Sequence, residues 1–174
     1  GAKHALAVNS ATSALHMACL ALGLGRGDWL WTTPVTFVAS ANCGLYCGAQ
    51  VDFVDIDPRT YNLDPARLEA CLTSRTRVIL PIHLYGQTAD MERINAIAAR
   101  HGLFVLEDAA QSHGARCHGR AAGWCACGWR DCYLALHVSV ELYLSAPPQA
   151  YIHCHHVNAD VVAFFNRSFL WRYE

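Results

Sequence analysis

Leu103-Phe104-Val105-Leu106-Glu107-Asp108-Ala109-Ala110-Gln111-Ser112-His113-Gly114 is the stretch on which the fold turns. Four apolar residues bounded by turn formers read as a buried strand, and two carboxylates fall where that strand ends. In an open α/β sheet, ligands bind at the carboxyl ends of the strands, so Asp108 is placed to meet one. An Asp in that position also reads as a helix cap or a turn former.

Working outward, Asp90 caps a helix from Met91 to His101, whose Ile94, Ile97 and Ala98 share a face, and Gly102 stops it. Before that helix, Arg77 to Gln87 reads as a buried strand running into a glycine turn. Asp64-Pro65 opens a short helix through Cys71, with proline at the first helical position. Val51 to Pro58 alternates apolar and acidic residues, the period of a strand with one wet face near a sheet edge. Asp52, Asp55 and Asp57 read there as solvated rather than as metal ligands, since no His or Glu partner is close in sequence.

Asp28 to Trp31 reads as a strand, broken at Thr32 to Thr36 before a helix from Phe37 to Gly48. Phe37 falls in the first turn of that helix, where a lone aromatic reads as core. At the start, the apolar run His4 to Val8, the polar turn Asn9 to Ser13 and a helix from Ala14 to Gly23 follow in immediate succession. The free N–H groups of such a helix suit a phosphate, although ordinary Ser/Thr capping accounts for the same residues. Gly23-Leu24-Gly25-Arg26-Gly27 follows a helix instead of a strand and is no dinucleotide fingerprint. Strands and helices thus alternate from His4 to Glu107, which predicts an α/β fold: a mostly parallel sheet with helices on both faces.

With 174 residues the chain can bury one sizeable core, and 53% hydrophobic against 16% charged residues marks it as globular. A formal charge of −1 and a pI near 6.8 give no electrostatic case for nucleic acid or an anionic membrane. No apolar run approaches the roughly 18 residues of a spanning helix, and the start shows no signal peptide, so a cytoplasmic protein is expected. Nine cysteines, an odd number, point to reduced thiols. Lys3 is the sole lysine.

After Gly123 the character changes. Trp124 to Cys132 is dense in Trp and Cys, and caps and clean periodicity are mostly gone. Tyr133 to Val138 reads as a strand and Asp160 to Phe165 as a short helix. Cys125, Cys127 and Cys132 with Cys154 or His155 would supply zinc ligands, but Cys-x-Cys is not the usual knuckle spacing. The expected division is residues 1–123 as one domain and 124–174 as a divergent tail.

Five segments together resemble one family: Asn9 to His16, Thr33 to Ser40, Val51 to Asp57, Pro81 to Gln87, and Glu107 to Gln111 with His113-Gly114. Their wording is similar to the DegT/StrS-type sugar aminotransferases, which use pyridoxal phosphate (PLP) on the large domain of the fold-type I PLP enzymes. It looks most like the branch that aminates C4 of UDP-linked 4-keto-6-deoxy-N-acetylhexoses on the way to pseudaminic acid.

The resemblance implies a nucleotide-sugar substrate, an amino-acid donor such as glutamate, and homodimers. It also implies that Ala11, Thr12 and Ser13 hold the cofactor phosphate, that Phe37 stacks on the pyridine ring, that Asp108 pairs with the ring nitrogen and that Gln111 approaches the phenolic oxygen. The family's Schiff-base lysine would fall near His137, in a Ser-Phe-x-x-x-Lys segment that is absent here. Family members are roughly twice this length, so the chain reads as a fragment covering Gly1 to about Gly123. A shifted reading frame near Gly123 would account for the foreign tail. The alternatives are a non-catalytic remnant that binds PLP weakly through its phosphate, and a zinc-stabilised protein.

Overall fold

In the computed structural model, residues 8–123 are described, with the backbone of two short strands at 134–136 and 161–163. The order of elements is α1 (Ala11–Ala21), β1 (Trp29–Thr32), α2 (Ala39–Tyr46), β2 (Gln50–Phe53), α3 (Pro65–Cys71), β3 (Thr76–Ile79), a 3-10 turn (Leu84–Gly86), α4 (Met91–His101) and β4 (Phe104–Val105). A small antiparallel hairpin, β5 (Arg116–Cys117) and β6 (Arg120–Ala121), follows.

Alternation along the strands sorts the helices onto two faces. Leu30 and Val78 point to one side, where they pack with Ala14, Leu15 and Ala18 of α1 and Cys43 of α2. Their neighbours Trp31 and Ile79 point to the other, against Leu68 of α3 and Met91, Ile94 and Ile97 of α4. The sheet between these layers is four-stranded and parallel throughout, in the order β2-β1-β3-β4. The fold is therefore the α/β architecture expected from the alternation.

That strand order has a consequence for ligands. From β1 the chain crosses through α2 to β2 on one side, and from β3 it crosses through α4 to β4 on the other. The connections diverge between β1 and β3, so a crevice is expected at their carboxyl ends. β2 lies at the edge, as expected, but it ends at Phe53 and that apolar residue is exposed too, so both its faces meet solvent instead of one.

Local chemistry sets the helix ends. The Asp64 side chain accepts from the Ala66 N–H at 2.9 Å ahead of Pro65, and the Asp90 side chain accepts from the Arg93 N–H at 3.2 Å. Gly102 closes α4 at φ 65°, a left-handed conformation that suits glycine. The Arg77 guanidinium donates from Nε and Nη2 to the Leu22 carbonyl, tying the end of α1 to β3.

Several boundaries differ from the sequence reading. Helix α1 begins at Ala11, capped by Ser10, so Ala11 to Ser13 form its first turn instead of a polar turn before it. The buried run after Arg77 leaves the ladder at Ile79, and only an isolated bridge from Ile82 to Asp108 continues the pairing. The segment read as a short helix around Asp160 contains a strand, β8 (Val161–Ala163), pairing antiparallel with β7 (Leu134–Leu136). A short apolar run with two β-branched valines is ambiguous in period, and pairing decided it. The run His4 to Ala7, the cysteines and histidine weighed for zinc, and His137 lie outside the described residues.

Candidate functional site

A cavity of about 210 Å³ opens where the topology predicts it, at the carboxyl end of the sheet. Ser10, Ala11 and Thr12 form its wall at the start of α1. Thr36 and Phe37 enter from the loop after β1, and Ile82, Asp108 and Gln111 from the segments after β3 and β4.

The α1 wall is built to present N–H groups. Ser10 holds an extended backbone at φ −164° and its Oγ accepts from the Ser13 N–H at 3.2 Å. The Ser13 hydroxyl donates to Asn9 Oδ1 at 2.7 Å, which steadies the turn. The Ala11 and Thr12 N–H groups have no partner among the described residues, and they sit at the positive end of the helix dipole. This arrangement suits a phosphate dianion and needs no lysine.

Opposite stands Asp108, 7% exposed. Its Oδ2 accepts from the Ser40 hydroxyl at 3.0 Å and its Oδ1 from the Ala110 N–H at 3.1 Å. Burial pushes its carboxyl above the ordinary range, against the pull of those two donors. Each oxygen keeps lone-pair capacity for a further donor, as a ring N–H would require.

Phe37 is 66% exposed, precedes the cap of α2 at Val38 and faces the cavity. The reading of it as a core residue in a first helical turn is corrected: the helix starts two residues later, and the loop holds the ring at the surface. Gln111 Oε1 accepts from the Tyr85 N–H at 3.0 Å. Its amide orientation follows from that bond, leaving Nε2 as a donor without a partner among the described residues. Tyr85 is held at φ 52°, and Asn62 braces the same turn by accepting from the Leu84 N–H and donating to the Gln87 carbonyl.

Two groups were not singled out by sequence reasoning. Ser40, fully buried, reaches Asp108 from α2. His83 and Glu107, both wholly enclosed, meet at 2.9 Å between Nε2 and Oε2. The Ala89 N–H donates to His83 Nδ1, so the ring proton is on Nε2 and is donated to Glu107. Glu107 Oε2 also accepts from the Gly123 N–H at 2.8 Å, fastening the end of the hairpin to the sheet. The only local hint was that both residues flank turn glycines or strand ends within the quoted segments.

The remaining polar surface is ordinary. Asp55 and Asp57 form exposed ion pairs with Arg67 and Arg59, as solvated residues do. The five described cysteines are free thiols, and a hydrogen bond with Cys43 together with burial pushes the Cys19 thiol up. Among the described residues, no helix is long and apolar enough to cross a membrane.

Comparison with known proteins places the chain in a family. A sequence model of the DegT/DnrJ/EryC1/StrS aminotransferase family matches residues 1–128. The chain is 52% identical over 123 residues to GDP-perosamine synthase of Caulobacter vibrioides, covering 71% of this chain and 33% of that protein. It is 44% identical over 151 residues to UDP-2-acetamido-2-deoxy-3-oxo-D-glucuronate aminotransferase of Pseudomonas aeruginosa, covering 87% of this chain and 40% of that one. The solved structure of NtdA from Bacillus subtilis with bound cofactor PMP is similar with a TM-score of 0.66 at 39% identity, over 70% of this chain and 28% of that chain. The chain spans about a third of the length of the curated relatives it matches.

Proposed function

Because the chain belongs to the DegT/DnrJ/EryC1/StrS aminotransferase family, we propose that the cavity is part of a PLP site, and that the whole protein transfers an amino group from an amino acid to a nucleotide-linked keto sugar. The observation that carries this reading is the juxtaposition of a buried carboxylate with an open helix amino terminus across one cavity. When bound, PLP supplies an electron sink for carbanion chemistry at the amino carbon. The chain's residues divide the remaining work. Of the three residues assigned to the phosphate, Ala11 and Thr12 hold it through their free N–H groups, while Ser13, whose N–H and hydroxyl are taken by Ser10 and Asn9 and which does not line the cavity, braces the turn behind them. Phe37 covers one ring face, Asp108 holds a proton on the ring nitrogen, and Gln111 Nε2 donates to the phenolic oxygen.

The finer reading takes glutamate as donor and a UDP-linked 4-keto-6-deoxy-N-acetylhexose as acceptor, the pseudaminic acid branch, in a cytoplasmic homodimer. Its support is the wording of the five segments quoted above. For the polypeptide of this sequence we propose binding without turnover, because its single lysine, Lys3, precedes α1 while the family's lysine belongs near His137. We propose that residues 1–123 are the aminotransferase part and 124–174 a tail of different origin, which reading the nucleotide sequence in all three frames tests. The family match to residue 128 and the 151 residues matched with the Pseudomonas aeruginosa relative count against a boundary at Gly123 itself.

PLP titrated into the protein should change its tryptophan fluorescence reversibly, and Asp108→Asn should weaken that binding by about tenfold, the loss of one charge-assisted bond. Gel filtration should strip the cofactor, and borohydride should fix none to the chain beyond incidental labelling of Lys3 or the amino terminus. A stoichiometric reduced adduct elsewhere, or glutamate-dependent amination of a 4-keto sugar nucleotide, would overturn the non-catalytic reading. Indifference of the wild type to PLP would overturn the cofactor reading itself.

A further inference from the structure

We propose that Ser40 is the positioning residue of the Asp108 carboxylate, the middle of a one-way hydrogen-bond relay that runs from Thr36 on the cavity wall through Ser40 to Asp108. The direction follows from counting protons. A serine hydroxyl has one, and Ser40 Oγ has two oxygen neighbours, Asp108 Oδ2 at 3.0 Å and Thr36 Oγ at 2.8 Å. An ionised carboxylate only accepts, so the Ser40 proton goes to Asp108 and the Thr36 hydroxyl must donate to Ser40. Thr36 itself lines the cavity, so the relay begins at its wall.

The relay fixes orientation as well as direction. Ser40 on α2 holds one carboxylate oxygen, while the Ala110 N–H in the turn after β4 holds the other, so rotation about the Cβ–Cγ bond is stopped from two elements. Among the described residues, no ion pair reaches Asp108. The titratable groups nearby are His83, whose backbone N–H serves the Asp108 carbonyl, and Glu107 on the same strand end, which faces His83 and Gly123. The first turn of α1 and the start of α2 contribute none to the cavity wall. Two neutral donors therefore keep a buried carboxylate aligned for an incoming ring N–H. That last step rests on the PLP reading, whereas the relay does not.

The test follows the Asp108 carboxyl carbon by NMR through a pH titration of the protein without cofactor. Ser40→Ala should raise the midpoint by about one unit, as loss of a hydrogen bond to a charged group implies. Thr36→Val should raise it by less, and Thr36→Ser, which restores the hydroxyl, should return it to the wild-type value. An unchanged midpoint in Ser40→Ala would overturn the relay, as would a Thr36→Ser variant that behaves like Thr36→Val. If Ser40→Ala loses the native amide spectrum, the Thr36 pair on the half-buried wall decides alone, equal midpoints in Val and Ser variants counting against the proposal. Titration of the same variants with PLP separates the two readings. Failure of the wild type to bind would sink the cofactor site while leaving the carboxyl midpoints to judge the relay.

Discussion

Asp108 is an ionisable group enclosed by protein, and its proton equilibrium makes it measurable without any assay of activity. Burial raises its native value above the unfolded carboxylate value of about 3.9. A carboxyl raised on folding contributes stability that is fully present below the unfolded value and lost as pH rises through the native one, because there the native state binds more protons than the unfolded state. Asp108→Asn has no such proton to lose. Denaturant midpoints of the two proteins should therefore diverge in favour of the variant as pH climbs from about 4 toward 7, once the constant offset of the substitution is subtracted. A difference independent of pH would show that Asp108 titrates as an exposed carboxylate does. The same residue illustrates why Ser40 matters: each donor on the carboxylate reduces the burial cost.

At the scale of elements, the helices are held by different means. α4 carries its own signals: the Asp90 cap, Glu92 in the first turn, Arg100 and His101 in the last, and Gly102 at the stop. Asp90→Ala should lower the unfolding free energy by about 1 kcal/mol, measured by urea denaturation. Its contact with Arg93 at 4.0 Å is exposed and adds little to that figure. α2, by contrast, has no side-chain cap at Val38 and rests on close packing. A Cβ on Gly44 would lie 2.7 Å from Val51 Cγ2 and 3.4 Å from Leu30 Cβ, so glycine lets this helix approach the strands below it. That approach brings Ser40 within reach of Asp108.

For the whole molecule, β1 is the pivot, paired with β2 on one side and β3 on the other. Leu30 at its centre is wholly buried between α1, α2 and neighbouring strands, so Leu30→Ala should cost about 2–5 kcal/mol, a large part of the roughly 5–15 kcal/mol that holds a domain folded. Leu20→Ala on the exposed side of α1 should stay within about 0.5 kcal/mol, and calorimetry of the pair checks both figures. What the sequence by itself determined was everything that local periodicity and capping encode. It determined the βα alternation, the helix from Met91 to His101 with both its ends, the proline start of α3, and the delivery of Asp108 to a strand end. The wording of the segments also singled out Ala11, Thr12, Ser13, Phe37, Asp108 and Gln111, of which all but Ser13 line one cavity. Only the tertiary structure decided the strand order β2-β1-β3-β4, the exposure of Phe37, the enclosed His83 and Glu107 pair, and the bond from Ser40 to a carboxylate 68 residues further along. The reason is that caps and periods are satisfied by residues three or four apart. Strand neighbours and buried polar partners are instead chosen by which surfaces exclude water together, and no local signal records that choice.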